Sequence, residues 1–156
     1  MKPLREHERA YWERYLASLA PGERQALAHV EASYAGNREI TDSLLALYLS
    51  GRKFAGSSVL EDFRTAGDPL PAAGNHWILL NSRDEPGALL RTVRVEQHKF
   101  MDVPEAIAIA EGEGDLSLEY WRRVHRAFYE PHLPKWGLAQ IEDATIVTEF
   151  FELVWR

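Results

Sequence analysis

Two apolar stretches separated by a run with turn chemistry set the first limit on what this chain can become. His76-Trp77-Ile78-Leu79-Leu80 is built from strand-favouring residues, and Arg83-Asp84-Glu85-Pro86-Gly87 follows as a hairpin turn. Ala88 to Glu96 then resumes as a second strand. Alternation places Leu89, Val93 and Val95 on one face and Leu90, Thr92, Arg94 and Glu96 on the other, with Arg91 the odd member of the apolar face. A closing strand is expected far away, at Thr145 to Trp155, where Val147, Phe151, Leu153 and Trp155 alternate. Short strands scattered among helical patterns, with no βαβ rhythm and no internal repeat, make the fold class α+β.

The helical patterns fill the remainder. From His7 to Leu19, Tyr11, Tyr15 and Leu19 recur four apart and Trp12 and Leu16 form a second row, before Pro21-Gly22 closes the element. A second helix is expected from Glu23 to about Tyr34 on the stripe Leu27, Val30, Tyr34, stopped by Ala35-Gly36-Asn37. Residues 1–36 thus read as a helical extension whose apolar faces need burial on the domain at 37–156 or on another subunit. Thr41 or Asp42 would cap a third helix ending near Leu49, and Val59 to Arg64 suggests a short one ended by Gly67-Asp68-Pro69. Another starts near Pro104 with Asp102 as cap, and the last runs from Leu116, capped by Asp115, to about Tyr129. On that last helix Leu118, Trp121, Val124, His125 and Phe128 share a stripe, so Trp121 is expected in the core.

With 156 residues, 46% of them apolar, the chain can bury one core and needs no second domain. The absence of cysteine removes disulfides, thiolate zinc sites and cysteine nucleophiles. The opening Met1-Lys2-Pro3-Leu4-Arg5-Glu6-His7 lacks the apolar core of a secretory signal, and no segment approaches the ~18 apolar residues of a membrane span, so a cytoplasmic location is the expectation. A net charge of -6 argues against coating a duplex through a broad cationic face. Arg52 with Lys53, Arg91 with Arg94, and Arg122, Arg123 and Arg126 could still build a local cationic cleft if the fold brought them together.

Two stretches carry candidate chemistry. Leu49-Ser50-Gly51-Arg52-Lys53-Phe54-Ala55-Gly56-Ser57-Ser58 ends a helix on a glycine and leaves Lys53 on a tightly held loop beside two hydroxyls. Such a lysine binds an anionic or carbonyl group and, if desolvated, acts as base or nucleophile. Ala110-Glu111-Gly112-Glu113-Gly114-Asp115 sets three carboxylates among glycines, but not at EF-hand spacing, and reads as a loop and helix cap rather than a metal site. No nucleophile elbow, Walker loop or dinucleotide fingerprint is present, so no cofactor is expected.

These two stretches, together with Gly67-Asp68-Pro69-Leu70-Pro71, Arg91-Thr92-Val93-Arg94-Val95 and the continuation Leu116-Ser117-Leu118-Glu119-Tyr120-Trp121-Arg122, resemble the ASCH (activating signal cointegrator homology) family over roughly residues 40 to 156. The resemblance implies a PUA-like small mixed β-barrel with flanking helices and a cleft linked to RNA or modified nucleosides. It also implies two activities, since some small bacterial members hydrolyse acylated cytidine and others are described as ribonucleases. The hydrolytic set of that family, a lysine, a threonine three residues on and a glutamate before the last long helix, falls on Lys53 and Glu113. Gly56 stands at the threonine position, and Ser57 is the nearest hydroxyl, with Ser58 next.

The expected catalytic candidates are therefore Lys53, Glu113 and Ser57, and the expected ligand contacts are Tyr48, Arg52, Ser58, Trp77 and Arg94, the aromatics stacking a base and the cations taking phosphate. The expected partner is RNA or a modified nucleoside. The alternatives are a hydrolase of acylated pyrimidine nucleosides or of RNA, and a protein-interaction module working through the helical extension.

Overall fold

The computed structural model describes residues 2–24 and 29–156. Five strands form one curled half-barrel sheet in the order β1-β3-β4-β5-β2, from Val30–Tyr34 (β1), Ala55–Val59 (β2), His76–Leu80 (β3), Pro86–Lys99 (β4) and Thr145–Trp155 (β5). β1 runs parallel to β3, and every other neighbouring pair is antiparallel. The helices are Glu6–Ala17 (α1), Pro21–Arg24 (α2), Thr41–Ser50 (α3), Leu60–Ala66 (α4), Glu105–Glu111 (α5) and Leu118–Tyr129 (α6). Among the described residues no helix is long and apolar enough to cross a membrane.

The period of two along each strand decides which helix covers which face. Ile78, Leu80 and Leu89 pack against Tyr11 and Tyr15 of α1, whereas Leu79, Ala88, Leu90 and Phe151 pack against Tyr48 and the leucines of α3. A third cluster joins Ala55 and Val59 of β2 and Ile146 and Phe150 of β5 to α5 and α6. The sheet is thus covered on both faces, and its curl brings all three helical layers around it.

β3 and β5 have the bounds expected of them, and β4 is longer than the expected strand at both ends. The second helix is corrected. Val30–Tyr34 is the edge strand β1, only Pro21–Arg24 is helical before it, and Leu27 lies outside the described residues. Val30 and Tyr34 fit a helical stripe, but Val30, Ala32 and Tyr34 equally fit a strand, and pairing with His76–Leu80 settles the matter. The sheet therefore begins inside the stretch expected to be helical. β2 also went unread, because Gly56-Ser57-Ser58 has little strand preference and its extended form comes from pairing with β5.

On β4 the register slips between Leu89 and Leu90 and between Thr92 and Arg94. The first leaves Val154 of β5 as the extra residue and the second leaves Val93 of β4, and such bulges bend the strands, so that β4 pairs with β3 near its start and with β5 from Leu89 onward. Val93, expected on the apolar face, is the extra residue at the second bulge and is 42% exposed, while Thr92 is buried. Arg91 sits opposite Glu152 of β5 and is ion-paired to it, which explains a charge on that face.

Three expected caps are also different. Ile40 occupies the cap position of α3; the Thr41 hydroxyl takes the Ala35 N–H and donates to the Leu80 carbonyl, and Asp42 accepts from Ser82. Asp102 lies in a single 3-10 turn, and Pro104 precedes α5 without a side-chain cap. Ser117, not Asp115, caps α6 by accepting the Tyr120 N–H, and Asp115 accepts the N–H of Ser117.

Candidate functional site

α3 ends on Gly51 in the left-handed conformation, φ 81°, and the chain turns back so that the Lys53 N–H reaches the Leu47 carbonyl at 3.1 Å. The next N–H, of Phe54, bonds the Ala110 carbonyl at 2.8 Å, which ties the lysine turn to the end of α5. That contact is close. A Cβ on Gly112, itself at φ 68°, would stand 2.3 Å from the Arg52 carbonyl oxygen and 2.9 Å from the Lys53 Cα. The glycine in the acidic run is there so that two backbones can touch. Arg52 completes the joint by donating to the carbonyls of Gly112 (2.9 Å) and Gly114 (2.8 Å).

Within this joint the Lys53 ammonium is 4% exposed and has three acceptors: Glu113 Oε2 at 2.9 Å, the Glu111 carbonyl at 3.1 Å and Glu111 Oε1 at 3.4 Å. The ring of Tyr48 lies 5.2 Å from its nitrogen. Burial alone would favour the neutral amine, but Tyr48, Glu111 and Glu113 outweigh it and hold Lys53 above the ordinary lysine value. It is therefore a fixed cation rather than a free base.

Glu111, 2% exposed, is the hub of the cluster. Its Oε2 accepts the Ser57 hydroxyl at 2.8 Å and the Trp121 indole N–H, and its Oε1 faces His125 Nε2 at 3.4 Å. Burial would push this carboxyl up, but His125, Lys53 and Trp121 bring it down to about 2. His125 is raised in turn: Glu111 overcomes the opposing effect of burial, and Nδ1–H is satisfied by the Trp121 carbonyl at 2.8 Å. Thr148 lies 2.8 Å from the Ser57 oxygen, and since Ser57 gives its proton to Glu111, Thr148 donates to it. The Tyr129 hydroxyl donates to the Ser57 carbonyl.

This cluster lines a cavity of about 400 Å³. Tyr48, Trp77 and Phe151 form one aromatic wall, with ring centroids 5.3 to 5.9 Å apart. Gly56, Ser57 and Ser58 contribute the β2 edge, and Glu31, Thr92 and Glu149 come from β1, β4 and β5. Ser57 contacts Thr148, so the next residue, Glu149, projects from the opposite face of the sheet.

The structure thus brings Lys53, Glu113, Ser57, Tyr48, Ser58 and Trp77 to one cavity. Arg52 and Arg94 do not line it. Arg52 is a strut between two loops, and Arg94 pairs with Glu96 at 3.0 Å with its guanidinium 3.6 Å from the centre of the Phe150 ring. Nor do the basic clusters assemble into a cleft: Arg91 pairs with Glu152, Arg126 with Glu142, and Arg122 bonds the Met101 carbonyl. The three carboxylates of the acidic run separate, with Glu111 and Glu113 on Lys53 and Asp115 on Ser117.

Sequence reasoning missed the central place of Glu111, and with it His125 and Thr148. The sequence places His125 on the same stripe as Trp121 without giving it a role, and its spacing of four from Trp121 puts both rings on one face of α6, stacked at 4.1 Å. Gly56 has a physical reason: a Cβ there would stand 2.9 Å from the Tyr48 hydroxyl. The tyrosine fills the space a larger residue would need.

A family model described as the ASCH domain matches residues 31–155. None of the curated proteins matches the chain. Among solved structures it is similar to an ASCH domain from Lactobacillus crispatus, at 25% identity and a TM-score of 0.92, covering 100% of this chain and 99% of that one. It is also similar to protein EF3133 from Enterococcus faecalis, at 31% identity and a TM-score of 0.79, covering 94% of this chain and 87% of that one.

Proposed function

The chain belongs to the ASCH domain family, whose members are generally RNA-binding PUA-like domains, and on that footing we propose that its cavity binds one nucleoside unit, either free or as a single unpaired residue of RNA. The observation that carries this reading is the pairing of an aromatic wall with a buried, charge-balanced polar cluster in one cavity of about 400 Å³. That volume lies in the range of about 300–1,000 Å³ usual for small-molecule sites and suits one nucleoside, not a strand. Tyr48, Trp77 and Phe151 offer faces for stacking, while Glu113 and the Ser57 and Ser58 hydroxyls offer acceptors and donors to a base edge. Lys53 holds both glutamates in place, so the recognising groups are set before the ligand arrives.

One observation favours hydrolysis as a second reading: the Ser57 hydroxyl already donates to a carboxylate, as a nucleophile donates to its base. Attack by Ser57 Oγ on an acyl carbonyl would pass its proton to Glu111, the C–N bond would break with that proton going to the departing nucleoside amine, and water would then hydrolyse the acyl-serine to the acid and restore the Ser57 hydroxyl. Two features place this reading second. A carboxyl held down to about 2 is a weak base, and the three N–H groups of Lys53 are already engaged and cannot also stabilise an oxyanion.

Calorimetric titration of the chain with nucleosides and with short single strands tests the proposal. Binding of a nucleoside, with a strand binding no more tightly and with little salt dependence, is expected, because Lys53 is the one Lys or Arg among the described cavity-lining residues. A strand that binds while every nucleoside fails overturns the free form. Failure of both overturns the reading, and release of acid from an acylated pyrimidine nucleoside, lost in Ser57→Ala, would move hydrolysis to the front.

A further inference from the structure

Resting on the reading of the cavity as a nucleoside site, we propose that it selects an unphosphorylated ligand bearing an amine or a comparable cationic, donor-rich group, and that the Glu149 carboxylate receives that group. Four observations on different elements lead there. The first concerns the cation. Lys53 has three N–H donors, and three acceptors already take them, so among the described lining residues a phosphate would find no lysine or arginine with a donor to spare.

The second is the state of Glu149. Thr92 donates to its Oε2 at 2.8 Å, and among the described residues no cation pairs with it. Burial pushes this carboxyl up from the ordinary value; the Thr92 hydroxyl holds it back and Glu31 adds to the rise. A half-buried acid with a hydroxyl on one oxygen and, among the described residues, no cation paired to the other is a receptor for a positive donor.

The third is the balance of the lining. Glu113, which is paired to Lys53, and Glu31, which faces His29 at 3.7 Å, join Glu149 and Asp62 around the same space, so carboxylates outnumber the one lysine among the described lining residues, which disfavours a phosphate and favours an ammonium. The fourth is the wall itself. Tyr48, Trp77 and Phe151 line the cavity, and an aromatic ring whose face meets a cation attracts it, as it also stacks a base. Glu149 and Ser57 project from opposite faces of the sheet, so the ligand would meet two separate polar stations, one at the Lys53 cluster and one at Glu149.

The test uses the full chain and three matched probe sets: the four common ribonucleosides, their 5′-monophosphates and their 5′-amino-5′-deoxy analogues. The amino analogues should bind about tenfold or more tighter than the monophosphates, the scale of one added charge pair. Glu149→Gln should close most of that gap, and Glu31→Gln, altering an exposed rim residue, should narrow it even if the first variant fails to fold. Monophosphates that bind as tightly as the amines, or a gap that survives in both variants, would overturn the proposal while leaving the nucleoside site intact. Tyramine and 4-hydroxyphenylacetate separate the remaining case: if every nucleoside fails but the amine binds and the acid does not, the nucleoside reading falls and the charge selection stands. If none of these probes binds, both fall.

Discussion

At the scale of single residues, the Lys53 and Glu111 pair shows how a buried charge becomes a structural commitment. Each is almost wholly enclosed, and each has the other among its compensating partners. Lys53→Ala would leave Glu111 with His125 as its remaining cation and should cost about 3–5 kcal/mol, read from the urea midpoint. A loss below about 1 kcal/mol would mean that water reaches the cluster. The same charges set a pH dependence. Glu111 is lowered, so its contribution is complete above the ordinary 4.5 and fades as the pH falls toward about 2. His125 is raised, so its contribution is complete below the ordinary 6.5 and fades as the pH rises through its folded value. His76, lowered chiefly by burial, acts in the opposite direction on the acid side, so His125 is isolated by comparing variants. His125→Gln should flatten the alkaline decline of the unfolding midpoint; a decline of unchanged steepness would remove His125 from that role. Of this cluster, Lys53 and Glu113 were legible because a glycine-terminated helix and a glycine-spaced acidic run are local signals. Glu111 as hub was not, because its partners lie on the turn after α3, on β2 and on α6, and only the fold joins them to the end of α5.

Elements explain what was legible in the fold. β3, β5 and most of β4 carry their own apolar alternation, so their existence could be read locally. β1 and β2 are edge strands with ambiguous or weak preferences, and pairing makes them strands, which no local window contains. The meeting of α3 with β2 yields a sharp test, because the Tyr48 hydroxyl occupies the place of a side chain at position 56. Gly56→Thr alone should destabilise by about 1–3 kcal/mol through overpacking. Adding Tyr48→Phe should restore part of the loss by removing the clashing oxygen, measured as thermal midpoints of the single and double variants. A Gly56→Thr chain as stable as the parent would show that Tyr48 moves aside freely.

For the whole molecule, the parallel pair of β1 and β3 has a consequence in time. Strands in this register cannot be joined by a tight turn, and Tyr34 and His76 are separated by α3, β2 and α4, so a large loop must close before β1 can dock. Elements with such long closure form late and open early, at less than the free energy of global unfolding. β1 also sits at the sheet edge and supplies Glu31 and Ser33 to the cavity wall. A ligand held by that wall therefore binds the docked strand and not the detached one. In the free protein the amides of Val30–Tyr34 should exchange faster than those of β4 and β5, and the ligand at about a hundred times its dissociation constant should slow them by up to about a hundredfold. Protection of β1 equal to that of β4 and β5 in the free protein would mean that β1 leaves only when everything else does.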